Sequence, residues 1–293
     1  TAILEMAAAS GLPLLTGEGR APWATSTVGT GEMIMDAIAR GCRKFLVGIG
    51  GSATNDAGVG MLQAMGFRFY DANGELITQG CGGILGTIAR IDDSLVSAAV
   101  KESQFTVACD VDTPFCGPEG AAPVFAPQKG ADAEMVKRLD EGMASFAKVI
   151  MEKYAIDIVP VAGAGAAGGM GGAFRAFLGA TLKKGIDMVL DAIDFDTTIQ
   201  GANLVITGEG KVDFQTAKGK TAAGVLNRAK QQHIPVVAIG GCVEMCDSLV
   251  QMGFAGIYPI LEEKVPLEIA MQRDFAMNNV RKTVAKIVPN YLG

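Results

Sequence analysis

Apolar runs that stop abruptly at glycine or aspartate constrain this chain more than any other feature. Lys44 to Ile49 (KFLVGI) runs into Gly50-Gly51-Ser52. Phe105 to Val111 (FTVACDV) carries Asp110 and continues to Asp112. Asn203 to Thr207 (NLVIT) leads into Gly-Glu-Gly, and Pro235 to Ile239 (PVVAI) into Gly-Gly. Short apolar, β-branched runs bounded in this way read as buried strands. In the C-terminal third they alternate with helical stretches at short spacing, which predicts a parallel sheet of the doubly wound type and an α/β fold class. Ligands of such sheets bind beyond the carboxyl ends of the strands, so the glycines and carboxylates gathered there are candidates for chemistry.

The remaining pattern fills in around these strands. Thr1 to Met6 reads as a short strand, Thr30 to Arg40 as an amphipathic helix, and Ser52 to Met65 as a helix opened by Ser52. Phe67 to Thr78 reads as a hairpin turning at Asn73-Gly74. Ala131 to Tyr154 is a long helix whose stripe of Val136, Leu139, Met143, Phe146, Ile150 and Tyr154 belongs to the core. Ile156 to Ala162 is expected to be a strand, Lys220 to Lys230 a helix, Ile257 to Ile260 a short strand and Leu267 to Val288 the closing helix.

The totals exclude several classes. The net charge is −6 and no stretch is densely basic, which argues against a nucleic-acid partner. The longest uncharged run, Ile158 to Phe174, falls short of a membrane span and contains six glycines and a proline. Cysteines stand at 42, 81, 109, 116, 242 and 246 without a Cys-x-x-Cys pair, and there is one histidine. Reduced thiols in a cytoplasmic protein are expected, and a zinc site is not. The N-terminus shows no basic stretch followed by an apolar block.

The candidate sites each carry two readings. Gly50, Gly51, Ser52, Thr54, Asn55 and Asp56 could cradle a phosphate or carboxylate at a helix start, or form an ordinary N-cap. Asp110 and Asp112, alternating on one strand, could hold a metal or act as a general base, or could be solvated turn residues. Lys129, before the long helix, could neutralise transferring phosphate oxygens, or lie on the surface. Gly163, Gly165 and Gly168 spell the dinucleotide fingerprint, with Asp187 about 20 residues on, and close helix packing explains the same glycines. Gly219-Lys220-Thr221 resembles the end of a P-loop, but the motif's first glycine would fall at Phe214. His233 precedes a strand, at the amino end, away from the expected ligand edge, which disfavours a Ser–His or Cys–His hydrolase.

Four blocks together carry a more specific signal. Gly48 to Gly58 (GIGGSATNDAG), Cys109 to Gly130 (CDVDTPFCGPEGAAPVFAPQKG), Gly163 to Gly171 (GAGAAGGMG) and Thr207 to Thr216 (TGEGKVDFQT) resemble the bacterial glycerate kinase type-1 family in order and spacing. The resemblance extends over nearly the whole chain. It differs at Ala57 and Ala126, where that family often has glycine, at Thr113 in place of asparagine, and at Lys211 in place of arginine.

The resemblance implies a two-domain α/β enzyme that phosphorylates D-glycerate with ATP and Mg²⁺. It implies a discontinuous domain with a parallel doubly wound sheet from residues 1–15 and 196–293, and an inserted α/β domain at 16–195. Asp110 would orient or deprotonate the glycerate hydroxyl. Mg²⁺ would be held by Asp112 or Glu209, while Lys129 and the amides of Gly50, Gly51 and Ser52 would spread the developing charge. Asn55, Asp56, Gly163, Gly165, Gly208, Lys211 and Asp213 complete the expected substrate and phosphate contacts. The partners expected are small molecules, with homo-oligomerisation left open and no membrane or nucleic acid. A NAD-dependent oxidoreductase using Gly163 to Gly168 and a non-catalytic sugar-acid-binding protein are the alternatives. Such proteins usually begin with a further strand and helix, and the chain opens at Thr1 inside a strand-like run. A longer working protein is therefore expected.

Overall fold

The structure, a computed structural model, describes residues 1–15, 19–217, 220–261, 263 and 265–291. Gly219 of the P-loop-like tripeptide and Thr16 at the expected domain boundary lie outside them. The described strands are β1 (Ala2–Glu5), β2 (Lys44–Gly48), β3 (Arg68–Tyr70), β4 (Leu76–Ile77), β5 (Arg90–Asp92), β6 (Gln104–Ala108), β7 (Thr181–Lys183), β8 (Val205–Val212), β9 (Val236–Val243) and β10 (Gly256–Pro259). The chain divides into two compact units, Thr1–Gly185 and Ile186–Gly293.

In the first unit, β1, β2, β6 and β7 form a parallel sheet in that order. Leu4, Val47, Val107 and Leu182 face one another across its register. Phe45 and Phe105, paired on the neighbouring strands, stack with centroids 4.8 Å apart. The central strands β2 and β6 bury Phe45, Val47, Phe105 and Val107 on one face and are partly covered on the other, which is why these runs read as nearly continuous apolar sequence. The division differs from the expected one, which joined residues 1–15 to 196–293. Here β1 pairs with β2, so its backbone bonds are spent inside the first unit.

Beside this sheet, β4, β3 and β5 form a small antiparallel sheet. The expected hairpin turn is present: Gly74 has φ +82°, and Asp71 Oδ1 accepts from the amides of Asn73 and Glu75. The helix Ala133–Tyr154 starts where Asp132 Oδ1 accepts from Met135 N at 2.8 Å. It buries Leu139, Met143, Phe146 and Ile150 completely, each contributing roughly 1.5–3 kcal/mol.

Several expected elements differ. Ile156 to Ala162 is not a strand: Val159 N bonds Asp157 Oδ1 and Val161 N bonds the Ile158 carbonyl, while Pro160 has no N–H to give a ladder. The helix expected from Ser52 begins only at Val59, because Ala57 and Gly58 take φ +50° and +74°. The closing helix is two helices, Leu267–Ala270 and Arg273–Ile287.

The second unit holds the parallel sheet β10-β9-β8. Here the Gly-Glu-Gly and Gly-Gly sequences do not end the strands. β8 and β9 stay paired through them, with Glu209 opposite Gly240 and Lys211 opposite Cys242. A Cβ on Gly240 would lie 2.8 Å from the Cys242 carbonyl oxygen, so this glycine serves a close approach within the ladder. The helix Thr221–Gln231 packs Val225, Leu226 and Ala229 into this unit's own core.

Candidate active site

β2 and β6 are neighbours and parallel, so the loops after Gly48 and Ala108 leave the sheet at the same edge. Gly50, Gly51, Ser52, Asp110, Lys129 and Ala167 are among the residues that line one cavity there, of about 410 Å³. Asp110 and Asp112 stand beyond the end of β6 rather than on it, since the strand stops at Ala108. Asp110 is exposed, and its Oδ1 accepts from Gly185 N at 2.8 Å. Asp112 is exposed beside the cavity-lining Val111.

Lys129 is not a surface residue. It ends the short turn Pro127–Lys129, reversed by Gly130 at φ +99°, and only 1% of it is exposed. Its Nζ donates to Ser52 Oγ and to the Thr54 carbonyl oxygen, both at 2.6 Å. Burial lowers its pKa from the ordinary lysine range to about 8, while the charge of Asp56 pulls the other way.

The loop that receives Lys129 is held from beneath by Asp56. This carboxylate is fully buried and accepts from Thr27 N at 2.8 Å, Thr27 Oγ1 at 2.7 Å, Gly58 N at 3.1 Å and Gly60 N at 3.2 Å. Burial raises its pKa and these four bonds oppose the rise. Asp56 therefore shapes the loop, and it is not among the cavity-lining residues. Asn55 is equally buried, with Nδ2 3.3 Å from Met143 Sδ. Asn55 Oδ1 and Thr54 Oγ1 have no hydrogen-bond partner among the described residues. Nor does Ser52 open a helix: it forms an isolated bridge with Gly11.

The fingerprint-like glycines pack against this loop. A Cβ on Gly165 would lie 2.1 Å from the Pro114 carbonyl oxygen, and one on Gly168 would lie 2.2 Å from that of Thr54. Gly163, at φ +80°, abuts Cys109 Sγ. Ala57 N bonds the Gly168 carbonyl at 3.0 Å. Residues 167 to 169 are all left-handed, and the segment directly before them, 155 to 166, contains no strand. The strand–turn–helix context of a dinucleotide site is absent here, and close packing accounts for these glycines.

In the second unit, Glu209 has both oxygens engaged. Oε2 accepts from Thr216 Oγ1 at 2.9 Å and Oε1 from Ala222 N at 3.0 Å, which caps the helix Thr221–Gln231. Lys211 Nζ lies 3.3 Å from Asp213 Oδ2 and 2.9 Å from Glu244 Oε2. Asp213 Oδ1 accepts from Gln215 N, and its pKa is lowered first by that bond and further by Lys211. Gly208 lies against Ile239 of the neighbouring strand. Among the described residues no group of three or more His, Cys, Asp or Glu side chains gathers into a metal cage.

Thr27, Ala167, Leu12 and Phe125 were not singled out from the sequence. Thr27 carries no motif, and its importance comes only from meeting Asp56 across 29 positions. Leu12, Phe125 and Ala167 are apolar cavity walls with no chemical signature of their own.

A family profile described as the glycerate kinase family matches residues 1–291. A Bacillus cereus glycerate kinase is 46% identical over 288 residues, covering 98% of this chain and 75% of the relative. A glycerate 2-kinase of Escherichia coli K12 is 44% identical, covering 97% and 76%. A Salmonella typhimurium LT2 crystal structure, of a protein provisionally assigned as glycerate kinase 2, superposes with a TM-score of 0.85 at 42% identity, covering 98% of this chain and 76% of that one.

Proposed function

The chain belongs to the glycerate kinase family, and from that premise we propose that it transfers the terminal phosphoryl group of ATP to a hydroxyl of D-glycerate. The observation that carries this reading is the pairing of an exposed carboxylate, Asp110, with a buried cation, Lys129, on one cavity at the carboxyl edge of a parallel sheet.

Asp110 accepts the hydroxyl proton as the oxygen attacks phosphorus and the bond to the ADP oxygen breaks. Lys129 holds an anionic oxygen, and the Gly50 and Gly51 turn brings bare backbone to the same cavity. Mg²⁺ usually takes one or two carboxylates, with water and phosphate oxygens completing its shell. The exposed carboxylate of Asp112 fits that need, whereas Glu209 already accepts two hydrogen bonds. We assign Asp112 to Mg²⁺, which when bound neutralises charge on the ATP oxygens, and Glu209 to holding the loop before the helix Thr221–Gln231. No described helix is long and apolar enough to cross a membrane. The six cysteines carry free thiols, and the compartment we assign is the cytoplasm.

The test is incubation of the purified protein with ATP, Mg²⁺ and D-glycerate, read by phosphorus NMR. The expected result is ADP and one phosphoglycerate, and the spectrum identifies the esterified hydroxyl. Binding of glycerate without ATP consumption would point instead to a sugar-acid-binding protein.

A further inference from the structure

The Lys129–Ser52 contact restricts what the cavity can bind. An ammonium group has donors only, so at their 2.6 Å contact Ser52 Oγ must be the acceptor. The hydroxyl hydrogen of Ser52 is then left to be donated elsewhere, and Ser52 lines the cavity. Lys129 has three N–H bonds, of which Ser52 and the Thr54 carbonyl take two. The pair therefore offers two donors, one from each residue, backed by a single buried positive charge.

Two donors and one charge match the two oxygens of a carboxylate. A polyphosphate brings more negative charge than one lysine can balance. The same cavity also contains the carboxylate of Asp110, which repels a polyanion but accepts from a hydroxyl. Leu12, Ile49, Phe125 and Ala166 supply apolar wall, where an uncompensated charge is costly.

We infer that this cavity is the acceptor subsite, that Ser52 and Lys129 read the carboxylate of a small hydroxy acid, and that Ser52 is the residue that selects the acid over a neutral polyol. The inference rests on the kinase reading and reassigns Lys129 from phosphate to the acceptor's carboxylate. Asp110 faces the hydroxyl end of the same molecule. Gly168 is part of the device: it leaves room for the Thr54 carbonyl that anchors Lys129.

The experiment is titration calorimetry with D-glycerate, glycerol and inorganic phosphate, each without nucleotide, alongside KM for glycerate and for ATP. The proteins are the wild type, Ser52→Ala, Ser52→Thr and Lys129→Met, each first checked for cooperative unfolding. The wild type should bind glycerate and not glycerol. Loss of a hydrogen bond to a charged group in Ser52→Ala should weaken glycerate roughly 10- to 100-fold, with KM for ATP unchanged. Ser52→Thr, which keeps the hydroxyl, should recover most of the binding. Unchanged glycerate affinity in Ser52→Ala, equal binding of glycerol by the wild type, or a rise in KM for ATP alone would each overturn the assignment. If no phosphoryl transfer occurs with any protein, the kinase reading fails, while calorimetry still decides the carboxylate site.

Discussion

Lys129 Nζ lies 2.6 Å from Ser52 Oγ, a buried contact between side chains 77 positions apart. It joins the turn before the long helix to the loop after β2, and it places a charge where the fold gives it little solvent. Its consequences can be measured in stability as well as in turnover.

The pKa of Lys129 is about 8 in the folded protein, against 10.5 for an ordinary lysine. Between these values the unfolded chain binds more protons than the folded one, so this group's contribution to stability rises with pH. Below about pH 8 the cost of burying the charged lysine is fully present. In denaturant titrations, wild type minus Lys129→Met should gain on the order of 3 kcal/mol between pH 7.5 and pH 10.5. A difference that is flat with pH would show that Lys129 is not desolvated in solution.

Asp110 makes one backbone contact, to Gly185 N, and is otherwise exposed. Asparagine keeps an oxygen for that bond but cannot take a proton. Asp110→Asn should fold with unchanged unfolding free energy and lose at least ~100-fold in kcat. Near-normal turnover would remove Asp110 from the chemistry.

Gly168 sits at φ +67°, and its missing Cβ would meet the Thr54 carbonyl oxygen at 2.2 Å. Gly168→Ala adds both backbone strain and overpacking. The expected cost is about 1–3 kcal/mol or more. Because Thr54 is an anchor of Lys129, KM for glycerate should rise as well. Thermal unfolding and glycerate kinetics on the same variant check both parts.

Ala155 closes the long helix in the left-handed region, at φ +55°, and it is exposed. Glycine adopts that conformation without the Cβ penalty. Ala155→Gly should raise the unfolding free energy by about 0.5–1 kcal/mol and leave turnover unchanged. A lower stability would mean that the gain in unfolded-state entropy outweighs the relieved strain.

How much of the site could be read in advance varies from residue to residue. The stop of FTVACDV at two aspartates marked the strand edge that carries Asp110 and Asp112, although the strand ends earlier, at Ala108. The glycines at 163, 165 and 168 were visible as a cluster, but a cluster does not say whether backbone approaches a ligand or another backbone. The packing against Pro114 and Thr54 shows the second. Glu209 looked like a strand-end carboxylate, yet it lies within β8 and caps a helix, because pairing with β9 continues through the glycines.

The sequence by itself determined the α/β class, the β2 and β6 strands, the Asn73-Gly74 turn and the buried stripe of the helix Ala133–Tyr154. These depend on periodicity and on residues within a few positions of one another, so they are legible one window at a time. Only the tertiary structure decided that Lys129 is buried against Ser52, that Asp56 is spent on Thr27, Gly58 and Gly60, and that β1 pairs with β2. Burial and hydrogen-bond partnership are set by which distant segments come into contact. A lysine or an aspartate has the same chemistry in every window, and acquires its role only from the groups that packing brings to it.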